Sequence, residues 1–169
     1  EFYASAIKAH SNAYIIATSL YWQAQAYFEL KEYALALETF LEAKAQPKFA
    51  SLDGAELFDY HVGYAYFNLK NYPQALTSFE RFLSTAQSVN YERDTRLRMG
   101  DSHFVLKAYW PAMDQYEKAT VLQPQKGTYA MFQQAISYGF VNRTQQKIAL
   151  LQDIINQFPN SNLVDDCQF

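Results

Sequence analysis

Cysteine, glycine and proline are all scarce in this chain of 169 residues. It contains one cysteine, Cys167, and five residues each of glycine and proline. A single cysteine excludes an internal disulfide and a zinc site built from several cysteines. So few turn-forming residues are not typical of a β-sandwich, a β-barrel or a proline-rich disordered chain. A mostly helical fold is therefore predicted.

Clusters of positive charge and long apolar runs are also missing. Lys and Arg number 14 against 17 Asp and Glu, which gives a formal net charge of −3, and the basic residues are scattered. This balance does not favour nucleic acid or an anionic membrane as a partner. No apolar run approaches the roughly 20 residues of a spanning helix, so direct membrane insertion is not expected. Because the sequence begins at Glu1 without a signal-type leader, we expect a fragment or a processed product, and the compartment stays open.

Signatures of catalysis and of cofactor binding are absent from the sequence. The P-loop, dinucleotide-binding, serine hydrolase and zinc protease patterns do not occur. The three histidines, His10, His61 and His103, have no metal-ligand spacing. The charged run 92–98 is interpreted as a solvated helix start with ion pairs, and a polar contact with a partner is the alternative. The sequence predicts no catalytic residue, no cofactor, no metal and a protein that is not an enzyme.

Aromatic residues are abundant, and they recur with a fixed spacing. The chain has 14 Tyr and 13 Phe. In four segments a small or medium residue is followed four places later by an aromatic or leucine, and three places after that by an apolar residue. These segments are EYALALETFLEA, NYPQALTSFERF, AYWPAMDQYEKA and RTQQKIALLQDI. Their leading residues are Ala36, Ala75, Ala112 and Lys147, which lie 39, 37 and 35 residues apart. A period in the mid-thirties indicates a repeated supersecondary unit.

A second matched set lies twelve places before the first one. It consists of the small residues Ala24, Gly63, Gly100 and Ala135, and three places after them stand Tyr27, Tyr66, His103 and Tyr138. Each repeat is therefore predicted to hold two helices, and connections as short as LKEY or LKNY make the two antiparallel. Small residues at matched places let the helix axes approach closely. The predicted fold class is all-α, a solenoid of antiparallel helix pairs.

This pattern of small and aromatic residues resembles the tetratricopeptide repeat. The resemblance implies a right-handed superhelix and a single array over 1–169. Its repeats are predicted at about 17–50, 56–89, 93–126 and 128–161. Pro124 and Pro159 fall on the closing proline of the family's repeat, while Lys147 departs from the small residue expected there.

The two ends of the sequence resemble partial repeats. Residues 1–16 are predicted to be the end of a preceding repeat, after which Ser11 or Asn12 would cap the next helix. Residues 162–169 are predicted to start a further helix. The segments FPNS and RLRMGDSHF, together with the L-K-x-Y turns, resemble bacterial repeat proteins of the cell envelope, including Tol-Pal-associated proteins and outer-membrane-assembly lipoproteins. That resemblance favours the periplasm or envelope over the cytoplasm.

An aromatic-rich concave face is the predicted binding site for a peptide or helix of a partner protein. Helix geometry places there the second, fifth, ninth and twelfth positions of each first helix. The candidate residues are Tyr21, Gln25, Phe28, Tyr60, Tyr64, Phe67, Leu97, Asp101, Phe104 and Phe132. The basic lattice that grips a C-terminal carboxylate in chaperone-binding relatives is not present at these positions.

Three alternatives to this prediction stay open at the level of the sequence. Many of the aromatic rings could fill the core between neighbouring repeats instead of meeting a partner. The partner could be another copy of the chain. The array could also be a regulatory or positioning domain of a larger enzyme or envelope machine whose chemistry lies elsewhere.

Overall fold

A computed structural model describes the backbone of residues 2–168 and the side chains of residues 12–168. Over that range the chain is helical and contains no strand, which confirms the predicted all-α fold of helix pairs. The α-helices are α1 (Phe2–Glu29), α2 (Tyr33–Lys44), α3 (Phe58–Asn68), α4 (Tyr72–Leu83), α5 (Val89–Val105), α6 (Tyr109–Leu122), α7 (Thr128–Phe140), α8 (Thr144–Gln157) and α9 (Val164–Cys167). Short 3-10 helices lie at Phe49–Ser51, Ala55–Leu57 and Pro124–Lys126. None of the helices in this part of the chain is both long and apolar enough to span a membrane.

The chain divides into two compact units, residues 1–85 and 86–169. In the first unit α1 packs on α2 and α3 on α4, and α2 also packs on α3. In the second unit α5 packs on α6, α6 on α7, α7 on α8, and α8 on α9. Packing between consecutive helices is the arrangement expected of stacked helix pairs.

The small residues of the two matched sets lie at tightly packed, buried positions. A Cβ atom added to Gly63 would come within 2.5 Å of the Phe79 ring, and one added to Gly100 would come within 2.5 Å of the Tyr116 ring. Ala24 and Ala36 have no exposed surface. Substituting a larger side chain here would force the aromatic partner out of its place. The role that the sequence predicted for these positions is confirmed.

Helix α1 has no break where the sequence predicted one. It runs from Phe2 to Glu29 and passes through Ser11 and Asn12, so the predicted cap at these two residues is wrong. A capping residue must leave the helical conformation. No glycine or proline between residues 1 and 29 forces the chain to do so. Residues 2–16 are therefore part of the same continuous helix, α1.

The end of the described chain contains a short helix. The Leu163 amide donates a hydrogen bond to Ser161 Oγ at 3.2 Å, and α9 follows at once. This helix lies inside the segment 162–169, where the start of a further helix was predicted.

The first helix of every pair ends in the same kind of cap. Its residue with positive φ is not glycine: Lys31, Lys70, Lys107 or Asn142, with φ between 58° and 63°. The N–H of each of these residues bonds to the carbonyl three places earlier, and the next N–H bonds to the carbonyl five places earlier. These two bonds define a Schellman motif, which satisfies carbonyls that a helix end leaves unpaired.

Replacing Lys70 by glycine is expected to raise the free energy of unfolding by up to about 1 kcal/mol. The left-handed conformation costs an L-residue about 1–2 kcal/mol, and glycine avoids this cost. Part of the stabilisation is offset because glycine raises the conformational entropy of the unfolded chain. Urea denaturation followed by circular dichroism measures the change. Lys118→Gly is the matched control, because Lys118 lies inside α6 and glycine there should cost about 1 kcal/mol. A loss of stability in Lys70→Gly would contradict the account.

Candidate functional site

Three aromatic side chains form a row along α3. Tyr60, Tyr64 and Phe67 are spaced i, i+4 and i+7, which places them on one helix face. Neighbouring ring centroids in the row are 4.9 and 6.5 Å apart. Phe28 of α1 meets Tyr64 edge to face at 6.2 Å. All four side chains are partly exposed, and together they form a continuous surface, here called the aromatic ridge.

Aromatic residues of α4 pack behind the three ridge rings of α3 and hold them in place. Tyr60 lies 5.4 Å from Phe82, Tyr64 lies 5.7 Å from Phe79, and Phe67 lies 5.7 Å from Tyr72, measured between centroids. Phe79 and Phe82 are buried. Tyr60 and Tyr64 thus combine the two roles that the sequence left open, since one side of each ring packs on the core and the rest stays accessible.

His61 and Gln25 lie beside the ridge. The Gln25 amide nitrogen is 3.0 Å from His61 Nδ1, and the imidazole stacks on Phe40 with centroids 5.6 Å apart and ring planes at 4°. Burial lowers the pKa of His61 to about 4, against a smaller opposing effect of a hydrogen bond with the Leu57 backbone. The contact with Gln25 fits neutral imidazole, in which the ring nitrogen that faces the amide N–H carries no proton.

Two of the predicted site residues are not on an accessible surface. Tyr21 is only 2% exposed, and its hydroxyl donates a hydrogen bond to the Gly54 carbonyl at 2.6 Å. The loop between α2 and α3 contains the turns at 49–57, which cover this ring, since Phe49 meets it edge to face at 6.1 Å. Leu97 is 5% exposed and packs with Ala112 and Tyr116. The expectation that Tyr21 and Leu97 face solvent was wrong.

Asp101 is the centre of a hydrogen-bonded cluster in the second unit. Its Oδ1 accepts hydrogen bonds from the hydroxyls of Tyr116 at 2.9 Å and Tyr129 at 2.8 Å, and its Oδ2 lies 2.5 Å from Arg98 Nη1. The Asp101 side chain is 11% exposed. Burial, and next the Asp101 carboxylate, raise the pKa of both tyrosines, so both hydroxyls remain donors at neutral pH. The structure thus places Asp101 inside the fold, where it joins three helices.

The second unit has a smaller aromatic group at the end of α5. Phe104 meets Tyr109 and Phe140 edge to face, each at 5.5 Å, and Tyr109 stacks on Phe140 at 4.8 Å. Phe140 is 57% exposed. Phe132 is partly buried and packs against another cluster, around Ile154, so it does not join Phe104. Sequence analysis missed Phe140 because it lies one place after the twelfth position, which Gly139 occupies.

The described side chains form no candidate metal site. No cluster of three or more His, Cys, Asp or Glu side chains with suitable geometry occurs among them.

A family model described as tetratricopeptide repeat matches residues 18–48, 59–86 and 129–161. These ranges lie inside the first, second and fourth predicted repeats and cover more than half of the chain. The third predicted repeat, 93–126, is not matched, although the structure has the helix pair α5 and α6 there. No curated protein matches the chain significantly.

Several solved structures share this fold at low sequence identity. A double mutant of MamA RS-1 is 19% identical with a TM-score of 0.71, and the match covers 86% of this chain and 77% of that one. The APC/C hetero-tetramer Cut9-Hcn1 is 18% identical with a TM-score of 0.68, covering 90% of this chain and 29% of that one. PilF of Pseudomonas aeruginosa is 18% identical with a TM-score of 0.61, covering 90% and 65%.

Proposed function

We propose that this chain, which belongs to the tetratricopeptide repeat family, holds a peptide or helix of a partner protein against the aromatic ridge of its first unit. Domains of this family generally serve as scaffolds for protein-protein interaction. The observation that supports the proposal is the ridge itself, Phe28, Tyr60, Tyr64 and Phe67, whose rings are partly exposed and fixed from behind. The proposed role is non-catalytic.

The chemistry of the ridge favours apolar anchors in the partner. Tyr and Phe supply a large contact area with few rotatable bonds, and such residues are enriched where interfaces gain most of their affinity. Because α4 already holds the rings in place, binding does not have to order them. The ridge itself carries no charged side chain. We therefore expect a partner segment with aromatic or aliphatic residues spaced to meet successive rings.

A peptide-display selection tests the proposal without a known partner. A random peptide library is selected on the wild-type chain, and the affinity of the enriched peptides is measured by calorimetry. We expect peptides with apolar anchors, and at least tenfold weaker binding to the variant Tyr60→Ala plus Phe67→Ala.

The matched control is Trp110→Ala, which removes an aromatic side chain that is 57% exposed in the second unit. This variant should bind the same peptides as the wild type does. Unchanged affinity in Tyr60→Ala plus Phe67→Ala, with helicity intact by circular dichroism, would refute the proposal.

A further inference from the structure

A small cavity lies beside α1 in the first unit and includes no residue of the aromatic ridge. Its volume is about 100 Å³, and it is lined by Tyr14, Thr18, Tyr21, Trp22, Leu52 and Asp53. The four residues of α1 are spaced i, i+4, i+7 and i+8, so they share one helix face. The other two come from the turns that cover Tyr21.

Aromatic rings form most of the wall of this cavity. Tyr21 meets Trp22 edge to face, with centroids 5.8 Å apart and planes at 72°. The Tyr21 ring is fixed, since its hydroxyl is bonded to Gly54 and only 2% of the residue is exposed. Tyr14 and Trp22 are 41% and 59% exposed, so they border the opening. The faces of such rings carry negative electrostatic potential, which attracts cations.

The charged residues of the two segments that line the cavity have one sign. Asp53 supplies a carboxylate to the lining, and none of the ion pairs observed among the described side chains involves it. The segment 51–69 contains Asp53, Glu56 and Asp59 and no Lys or Arg, and the part of α1 from 12 to 28 has no charged residue. A cation entering this cavity would meet an acidic group and no basic one from these two segments.

Two further observations point to a ligand with positive charge and hydrogen-bond donors. Thr18 Oγ1 is buried and has no hydrogen-bond partner, and a buried hydroxyl without a partner is costly unless a bound group satisfies it. In the same unit Lys44 Nζ lies over the Phe49 and Phe58 rings, 4.7 and 5.0 Å from their centroids. An ammonium group thus already binds to aromatic faces in this unit.

From the aromatic wall, the carboxylate and the unpartnered hydroxyl we infer that this cavity binds an organic cation, an alkylammonium or guanidinium group. The volume exceeds the roughly 10–15 Å³ that one water needs and is below the roughly 300–1,000 Å³ of sites for whole cofactors or drugs. The cavity therefore suits a single head group. This site is independent of the peptide-binding role proposed for the ridge.

Nuclear magnetic resonance titration of the whole chain with tert-butylammonium, an alkylammonium that carries N–H donors, tests the inference. We expect saturable shifts of the amide signals of residues 14–22 and 52–54, and at least about fivefold weaker binding in Asp53→Asn and in Trp22→Leu. Glu56→Gln and Trp110→Leu are the matched controls, since they remove an acid of the same turn region and an equally exposed tryptophan elsewhere. Both controls should bind as the wild type does.

The neutral molecule tert-butyl alcohol, of similar size, separates charge recognition from simple filling of an apolar hole. Equal binding of tert-butyl alcohol and tert-butylammonium would overturn the inference, and so would the absence of saturable shifts at residues 14–22. A second series distinguishes a free cation from a basic side chain of a protein. If N-acetyl-lysine methylamide, its trimethylated form or N-acetyl-arginine methylamide binds more tightly than tert-butylammonium, the group recognised is a side chain. If none of them does, it is a free ammonium compound.

Discussion

Replacing Asp101 by alanine is expected to lower the free energy of unfolding by about 3–5 kcal/mol. The carboxylate accepts hydrogen bonds from Tyr116 and Tyr129 and pairs with Arg98. Alanine would remove the acceptor that the two tyrosine hydroxyls share and the carboxylate that pairs with Arg98, in a region where Tyr116 has no exposed surface. A buried donor left unpaired loses its full hydration without compensation, so the cost exceeds that of one ordinary hydrogen bond. Urea denaturation at pH 7, followed by circular dichroism, measures the loss.

Two further variants separate the Asp101 cluster from a general effect of removing charge. Asp114→Ala removes a carboxylate that is 51% exposed and pairs with Lys118, and it should cost less than about 1 kcal/mol. The loss of stability in Asp101→Asn should lie between the losses in the two alanine variants. The amide oxygen still accepts hydrogen bonds from the tyrosines, but the NH2 group faces Arg98. Equal stability of Asp101→Ala and Asp114→Ala would show that the Asp101 cluster is not what holds α5, α6 and α7 together.

The repeat architecture could be predicted from the sequence because each repeat supplies the same evidence again. Small residues at Ala24, Gly63, Gly100 and Ala135 mark close helix contacts, and any single one of them would be weak evidence. The Schellman caps left a signal in the sequence as well, since L-K-x-Y recurs at three helix ends. The missing break in α1 could not be predicted, because Ser and Asn favour caps but tolerate a helix interior.

The candidate site was less predictable, because exposure depends on contacts between segments that differ from one repeat to the next. Tyr21 and Tyr60 occupy the same position in the repeat pattern, at its fifth place. The turns at 49–57 cover Tyr21, while Tyr60 stays partly exposed. Asp101 occupies the ninth place, where its counterparts are Gln25, Tyr64 and Ile136. Asp101 is an acidic residue at a position where helices meet, and this was the signal in the sequence of a buried network. Periodicity alone assigned Asp101 to the binding face.

Acidification from pH 7.5 to pH 4 is expected to destabilise the first unit by about 3 kcal/mol through His61 alone. The pKa of His61 is lowered from 6.5 to about 4 by burial, so between these two values the unfolded chain binds the proton more readily than the folded chain does. The contribution of neutral His61 is fully present above pH 6.5 and is lost as the pH falls toward 4.

The variant His61→Phe isolates this effect, since phenylalanine can stack on Phe40 but cannot titrate. Its stability relative to the wild type should rise by about 3 kcal/mol between pH 7.5 and pH 4, measured by urea denaturation at each pH. His103→Gln, a change in the second unit, is the control, because it removes a histidine but leaves His61 in place.

Because His61 lies between Phe28 and Tyr60, at 5.6 and 5.4 Å between ring centroids, its protonation should also disturb the aromatic ridge. Peptides selected on the ridge should therefore bind more weakly to the wild type at pH 4.5 than at pH 7.5, and this loss of affinity should be smaller in His61→Phe. A difference in stability between the two proteins that stays constant at every pH would contradict this role of His61.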